Sequence, residues 1–146
     1  MRKQRLVPVA MALLLGAASA SWAGPIEDRQ ELMKQNGQAM KVLGAMAQGE
    51  SPFDAAAVAE HGRAEADRFE RVKTLFPAGT EQGPPETYAK AEIWSDPEGF
   101  AAAADQAVQA ARAVAAVTEQ AQLGEAVGAL GGACKNCHDK FRRPKD

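Results

Sequence analysis

Several features that would place a chain in a familiar class are scarce in this one. It has 146 residues, of which two are cysteines and only 5% are aromatic. Two cysteines are too few for a small domain built on disulfides. Basic residues are not in excess either, since 17 Lys and Arg stand against 19 Asp and Glu. A nucleic-acid-binding protein shows a basic excess on at least one face, so no nucleic-acid partner is expected.

Long apolar runs are scarce as well, and the one at the N-terminus has the pattern of an export signal. Three basic residues within the first five positions precede an apolar segment over residues 6–18, and small-x-small sites end at Ala20 and Ala23. This is the layout of a secretory signal peptide. An uncleaved membrane anchor is the alternative, but a span needs about 20 apolar residues. Residues 1–23 are predicted to be cleaved, after Ala20 or Ala23, and residues 24–146 to form one domain.

Cleavage of this leader would change the charge of the protein. It removes three basic residues and leaves 14 against 19 acidic ones. The mature protein is therefore expected to be acidic and periplasmic, with no membrane span. An acidic surface favours a partner protein with a basic docking patch.

The chain is rich in alanine, and its apolar residues recur with helical periodicity. Alanine has the lowest cost of any residue in a helix, and no segment alternates apolar and polar residues as a strand would. Four helices are predicted, over residues of about 26–48, 51–76, 95–116 and 118–144. Their N-caps are expected at Ser51, Ser95 and Thr118. Short links favour antiparallel neighbours, so the predicted fold is all-α, an antiparallel up-down-up-down four-helix bundle.

The first helix carries a seven-residue apolar repeat that is expected to face the core. Its members are Ile26, Met33, Met40 and Ala47, and Leu32, Ala39, Leu43 and Met46 lie beside them in the same predicted apolar stripe. Acidic residues throughout the chain are assigned to solvated helix faces. No constellation of acid–base or nucleophilic residues indicates an enzyme.

The chemistry of the chain is concentrated near its C-terminus. Cys134, Cys137 and His138 form a C-x-x-C-H motif, the attachment signature of c-type haem. Cysteines three residues apart lie on adjacent turns of one helix face and can add to the two vinyl groups of one porphyrin. The adjacent histidine then supplies an axial imidazole to the iron. One covalently attached haem c is therefore predicted, near the C-terminal end of the fourth helix.

Three alternative assignments of the motif stay open. Cys134 and Cys137 could form a disulfide or a thioredoxin-like redox pair, although the βαβ context of that pair is absent from the sequence pattern. A structural zinc site needs about four ligands, and the one further histidine is His61. The third alternative is an interaction module that carries no haem.

The second axial position of the iron has four candidates, namely Met33, Met40, Met46 and His61. At a rise of about 1.5 Å per residue, Met33 and His138 lie at the same level in an up-down-up-down bundle. The other three candidates lie further from that end, so Met33 is the predicted distal ligand. The alternative for Met33 is a core methionine.

Three more side chains are assigned to the surroundings of the haem. Phe69 and Phe100 fall at the level of the iron and are expected to line the pocket. Arg29 lies one turn before Met33 on the same face and is a candidate partner for a haem propionate. A solvated charge at the helix end is the alternative for Arg29.

With these features the chain resembles the class II c-type cytochromes, the cytochrome c-prime family. The resemblance covers the mature chain. Arg29 followed four residues later by Met33 matches the family pattern in the first helix. The family's C-terminal pattern is matched by Cys134, Cys137, His138, Phe141 and Arg142.

Further segments are similar to the low-spin branch of that family. They are Leu32-Met33-Lys34, Asn36-Gly37, Leu43-Gly44-Ala45, Gly49-Glu50, Phe53-Asp54, Phe76-Pro77 and Ile93-Trp94. In that branch the methionine binds iron and the protein carries electrons. In the high-spin branch the sixth position is open and binds nitric oxide or carbon monoxide, and some members carry a methionine there without ligating it.

The resemblance thus implies a function with one alternative. The main interpretation is a periplasmic one-electron carrier, not an enzyme, with His138 and Met33 as iron ligands and redox proteins as partners. The alternative is a five-coordinate haem protein that binds nitric oxide or carbon monoxide. A homodimer through the first two helices and a monomer both stay open.

Overall fold

A computed structural model describes residues 24–144, so the predicted signal segment lies outside the described residues. This part of the chain forms four long helices and one short helix. They are α1 (Pro25–Ala47), α2 (Ala55–Val72), α3 (Glu92–Ser95), α4 (Pro97–Ala115) and α5 (Gln120–Phe141). Over residues 24–144 the only extended pairing is a single antiparallel bridge between Ala89 and Arg142. The predicted all-α class is confirmed.

The long helices form a four-helix bundle. Each packs against two others, in the order α1, α2, α4, α5 and back to α1. The short helix α3 lies against α4 and α5. Within residues 24–144 no helix has the length together with the apolar character that crossing a bilayer requires. The bundle brings the beginning of α1 to the end that holds the close of α5.

Aspartates cap two of the helices, one to three residues beyond the predicted caps. The Asp54 carboxylate accepts backbone N–H groups at the start of α2, where Ser51 was expected. Asp96 does the same for α4, in place of Ser95. A carboxylate accepts hydrogen bonds strongly and also complements the positive end of the helix dipole. Thr118 was expected to cap α5, but no side chain caps that helix.

The buried face of α1 contains most of the predicted apolar stripe, but it is centred slightly to one side and also includes two polar residues. Its buried positions are Ile26, Arg29, Leu32, Asn36, Ala39, Leu43 and Met46. Met33 and Met40, expected within the core stripe, are half-buried at its edge. This offset brings one guanidinium and one amide into the interior and leaves the two methionine side chains beside a cavity.

The helices α2 and α4 approach each other very closely at Gly62. A Cβ atom built on Gly62 would lie 2.5 Å from the backbone nitrogen of Ala115 and 2.7 Å from its Cα. Real side-chain atoms do not approach a backbone so closely, so the two helices must separate if any side chain is present. Gly62 therefore sets the spacing of this helix pair.

Substitution of Gly62 by alanine is expected to destabilise the bundle. Overpacking against a backbone costs about 1–3 kcal/mol, which outweighs the gain of about 0.5–1 kcal/mol from replacing a helical glycine. Gly124→Ala is the matched control, because Gly124 is exposed on α5 with nothing within 4 Å of its Cβ position. Urea unfolding of the holoprotein is expected to show a lower free energy of unfolding for Gly62→Ala and a slightly higher one for Gly124→Ala. Equal changes in both variants would contradict a special role for the contact at Gly62.

Candidate functional site

A short extended segment holds the end of α5, where the C-x-x-C-H motif lies. The backbone N–H of Lys90 donates to the carbonyl of Phe141 at 3.0 Å, and that of Arg143 donates to Tyr88 at 2.8 Å. The Lys90 ammonium group donates to the carbonyl of Asp139 at 2.9 Å. These bonds fix the last turn of the helix, which carries His138, against the loop that precedes α3.

Two neighbouring cavities, of about 590 and 110 Å³, lie at this end of the bundle. Six residues border both of them: Met33, Tyr88, Phe100, Cys137, His138 and Arg142. The cavities therefore form one cleft, and we call it the α1–α5 cleft. The larger volume falls in the range of about 300–1,000 Å³ that is typical of small-molecule and cofactor sites.

The structure brings most of the predicted site residues to this cleft. Cys134 and Phe69 line the larger cavity. Arg29 lines the smaller one. Phe69 and Phe100 had been predicted to line it, and both do. Sequence reasoning missed Tyr88, which lies on the irregular segment before α3 and carries no periodic signal.

The four candidates for the distal position now have different environments. Met33 borders both cavities, as His138 does. Met40 borders only the larger cavity, although the rise of the helix had placed it well away from the iron. Met46 lies in the core of the bundle and is 8% exposed. His61 borders neither cavity.

Burial shifts the pKa values of the two thiols and the imidazole in the C-x-x-C-H motif. Both cysteines are free, half-buried thiols. Burial raises the pKa of Cys134 to about 11, helped by the charge of Glu65, and burial raises the pKa of Cys137. Thiols of a redox pair have lowered pKa values instead. Burial, together with the charge of Arg142, lowers the pKa of His138, so the imidazole is neutral and able to bind a metal at neutral pH.

The site fits a haem in size, polarity and donor set. Apolar side chains of α2 and α4 form one wall of the larger cavity: Phe69, Val72, Phe100, Ala104 and Ala107. The two thiols and the neutral imidazole line the same cavity from α5. The arrangement matches what a porphyrin with two vinyl groups and a central iron requires.

Arg29 is buried, contrary to the alternative of a solvated charge at the helix end. It is 4% exposed. Its two terminal nitrogens donate to the carbonyl of Leu75, to the hydroxyl and carbonyl of Thr80 and to the hydroxyl of Thr87, at 2.8–3.3 Å. The guanidinium also lies 4.6 Å from the centre of the Phe76 ring. Arg29 thus holds the loop after α2 against α1, at the rim of the cleft.

Glu65 is a correction to the assignment of all acidic residues to solvated faces. Its side chain on α2 is fully buried, and neither carboxyl oxygen has a hydrogen-bond partner. The sequence did carry a signal, because Glu65 lies three residues after Gly62 and four before Phe69, on the same apolar face. Burial raises the pKa of Glu65 to about 7, and the charge of Arg68 opposes that rise.

The raised pKa predicts a pH-dependent cost of folding. Glu65 binds its proton more tightly when folded, so ionisation destabilises the folded state as pH rises from about 4.5 to about 7. Glu65→Gln removes this cost. The variant is expected to gain at most about 3 kcal/mol relative to wild type above that range, and little below it.

Urea unfolding of both proteins at about pH 5 and about pH 8 measures this difference. Glu60→Gln is the control, because Glu60 is exposed on the same helix. The free energy of unfolding of Glu60→Gln should match that of wild type at both pH values. A Glu65→Gln gain that is the same at both would show that the carboxyl does not titrate in this range.

Comparisons with known proteins agree with this site. A family model described as cytochrome C′ matches residues 24–142. A cytochrome c′ from Pararhodospirillum photometricum is 41% identical over 120 residues, which cover 80% of this chain and 94% of that protein. A cytochrome c-556 from Agrobacterium fabrum is 35% identical over 146 residues, or 97% of this chain and 98% of the relative.

The solved structure of a cytochrome c′ from Rhodopseudomonas palustris has the same fold. It superposes with a TM-score of 0.78 at 34% identity, over 86% of this chain and 100% of the solved one. The family match spans almost all of the described residues and includes the whole C-x-x-C-H motif. The chain therefore belongs to the cytochrome c′ family, whose cofactor is a covalently attached haem c.

Proposed function

We propose that this protein carries one haem c outside the cytoplasm, exchanges single electrons through it, and leaves the distal side of the iron open to a small diatomic gas. One observation carries the proposal: His138 and both cysteines line a cleft to which α2 and α4 contribute an apolar wall. The polarity of the distal pocket decides between gas binding and other chemistries of haem. The wall on α2 and α4 admits a neutral diatomic molecule and offers no iron ligand, so a protein ligand would have to come from α1, where Met33 and Met40 line the same cavity.

In this proposal the chain's residues have defined roles. Cys134 and Cys137 would hold the haem through two thioether bonds, and the neutral imidazole of His138 would bind its iron. When bound, haem supplies a one-electron couple and an axial position for a ligand. Arg29 remains a predicted partner of a propionate, in addition to the four hydrogen bonds that it already donates to protein oxygens.

Ligation by Met33 is the second candidate, and it has its own support. Met33 borders both parts of the cleft together with His138. A thioether on the iron would raise the reduction potential and suit a dedicated electron carrier. The relative named cytochrome c-556 has 35% identity, however, and the one named cytochrome c′ has 41%. The names therefore favour an open distal position on the iron, which is why it is the main proposal.

Absorption spectra of the holoprotein and two variants separate these candidates. Met33→Leu removes the thioether from the cleft, and Met40→Leu is the matched control on the same helix. An open iron is expected to give broad high-spin bands in all three proteins, with rapid carbon monoxide binding after reduction. Sharp, split bands in reduced wild type that disappear only in Met33→Leu would overturn the open site and establish Met33 as the ligand.

Export is part of the proposal, because the attachment of c-type haem in bacteria takes place on the exported side of the membrane. The protein is expected in the periplasmic fraction with a new N-terminus at Gly24, or at Ser21 for cleavage after Ala20. Intact-mass measurement of the purified holoprotein checks both sites at once. A haem-bearing chain that keeps Met1 and sediments with membranes would contradict the proposed cleavage.

The electron partners are proposed to be proteins with a basic docking patch. The mature chain has 14 basic and 19 acidic residues, and complementary charge speeds the encounter of two proteins. A homodimer and a monomer both stay open, and sedimentation of the holoprotein distinguishes them.

A further inference from the structure

Glu65 is an ionisable group in the bundle interior that has no role in the proposed function. Both of its carboxyl oxygens are shielded from solvent and lack a hydrogen-bond partner. An ionised carboxylate in such a place is costly, since nothing replaces the water that it loses. The neutral acid costs much less. The structure thus holds Glu65 where a modest change in nearby charge decides between its two forms.

Arg68 on α2 and Asn36 on α1 form a partly buried polar pair between the two helices. Arg68, three residues further along α2, acts on the carboxyl by its charge. The Arg68 side chain donates to the amide oxygen of Asn36 on α1, and the amide nitrogen of Asn36 is buried without a partner. Asn36 also lines the larger cavity. This hydrogen bond joins the helix that carries Glu65 to the wall of the cleft.

The remaining two helices contribute one charge-sensitive group. On α5 the charge of Glu65 acts on Cys134, a proposed thioether position rather than an iron ligand. The α4 face of the core is apolar, with Ala107, Val108 and Ala111. The charged side chains of α4 that face α2, Asp105 and Arg112, instead pair at the surface with Lys73 and Glu70.

We propose that Glu65 is a redox-linked proton site, which takes up one proton when the haem is reduced and releases it on oxidation. The inference rests on the proposed function, because it requires the haem beside Cys134. An oxidised haem bears one more positive charge than a reduced one, and a nearby positive charge favours the carboxylate over the acid. The electron comes from a donor protein, the proton comes from water, and the carboxylate becomes a carboxylic acid.

The consequence is that the charge of the bundle interior changes little during electron transfer. A negative carboxylate accompanies the oxidised haem, and a neutral acid accompanies the reduced one. Burial brings the pKa of this group to about 7, so the exchange falls in the neutral range of pH.

Potentiometric titration of the holoprotein between about pH 5 and about pH 9 tests the proposal. In wild type the midpoint potential is expected to fall with pH over a window near neutrality. The limit is about 59 mV for each tenfold change in proton concentration, for one proton per electron. The midpoint potential of Glu65→Gln is expected to change much less with pH over that window, whereas that of Glu60→Gln should follow wild type. Propionates and His138 contribute equally in all three proteins, so the difference isolates Glu65.

The same slope in Glu65→Gln and wild type would overturn the proposal. If Glu65→Gln fails to accumulate as a holoprotein, redox-difference infrared spectra of wild type at neutral pH decide instead. A protonated carboxyl band that grows on reduction supports the proton site, and no change in that region overturns it. Failure of the proposed function looks different, because the protein would then show no reversible one-electron haem couple at all.

Discussion

The buried guanidinium of Arg29 is the interaction on which the cleft depends. It joins α1 to Leu75 and Thr80 in the loop after α2, and to Thr87 just before the segment that pairs with α5. The carbonyl of Thr87 accepts in turn from the side chain of Arg143, beyond the end of α5. One charged group thus connects α1, the irregular loop and the helix end that bears His138. A buried charge is tolerated only where its hydrogen bonds are satisfied, and here the loop supplies the acceptors.

Three polar side chains occupy positions in the bundle interior that the apolar pattern of the helices would assign to apolar residues. Arg29 and Asn36 occupy two positions of the buried face of α1, and Glu65 occupies one on α2. Each costs stability compared with an apolar side chain of similar size. Arg29 recovers this cost through its acceptors, whereas Glu65 has no such compensation. Departures of this kind from simple core patterning are expected where a protein does its chemistry. Arg29 and Asn36 line the cleft, and the charge of Glu65 acts on Cys134, which also lines it.

The sequence predicted the fold class and the motif residues well, for physical reasons that are local. Helical periodicity needs only neighbouring residues, and the spacing of Cys134, Cys137 and His138 is imposed by the chemistry of attachment. Burial of Arg29 could not be predicted in this way, because its acceptors lie 46 to 58 residues further along the chain. The fully buried Glu65 was missed because charged side chains on helices are usually solvated. Sequence spacing also separated Met40 from the cleft that it borders, since a helix-length estimate carries no information on the width of a cavity.

The pairing of residues 88–90 with 141–143 has a consequence for the order in which the site is assembled. The chain is made from its N-terminus, so the partners of α5 exist before residues 141–143 do. The turn that carries His138 is fixed only when those later residues dock against the earlier segment. The hydrogen bonds between residues 88–90 and 141–143 and the placement of His138 beside the cleft are therefore a single structural requirement.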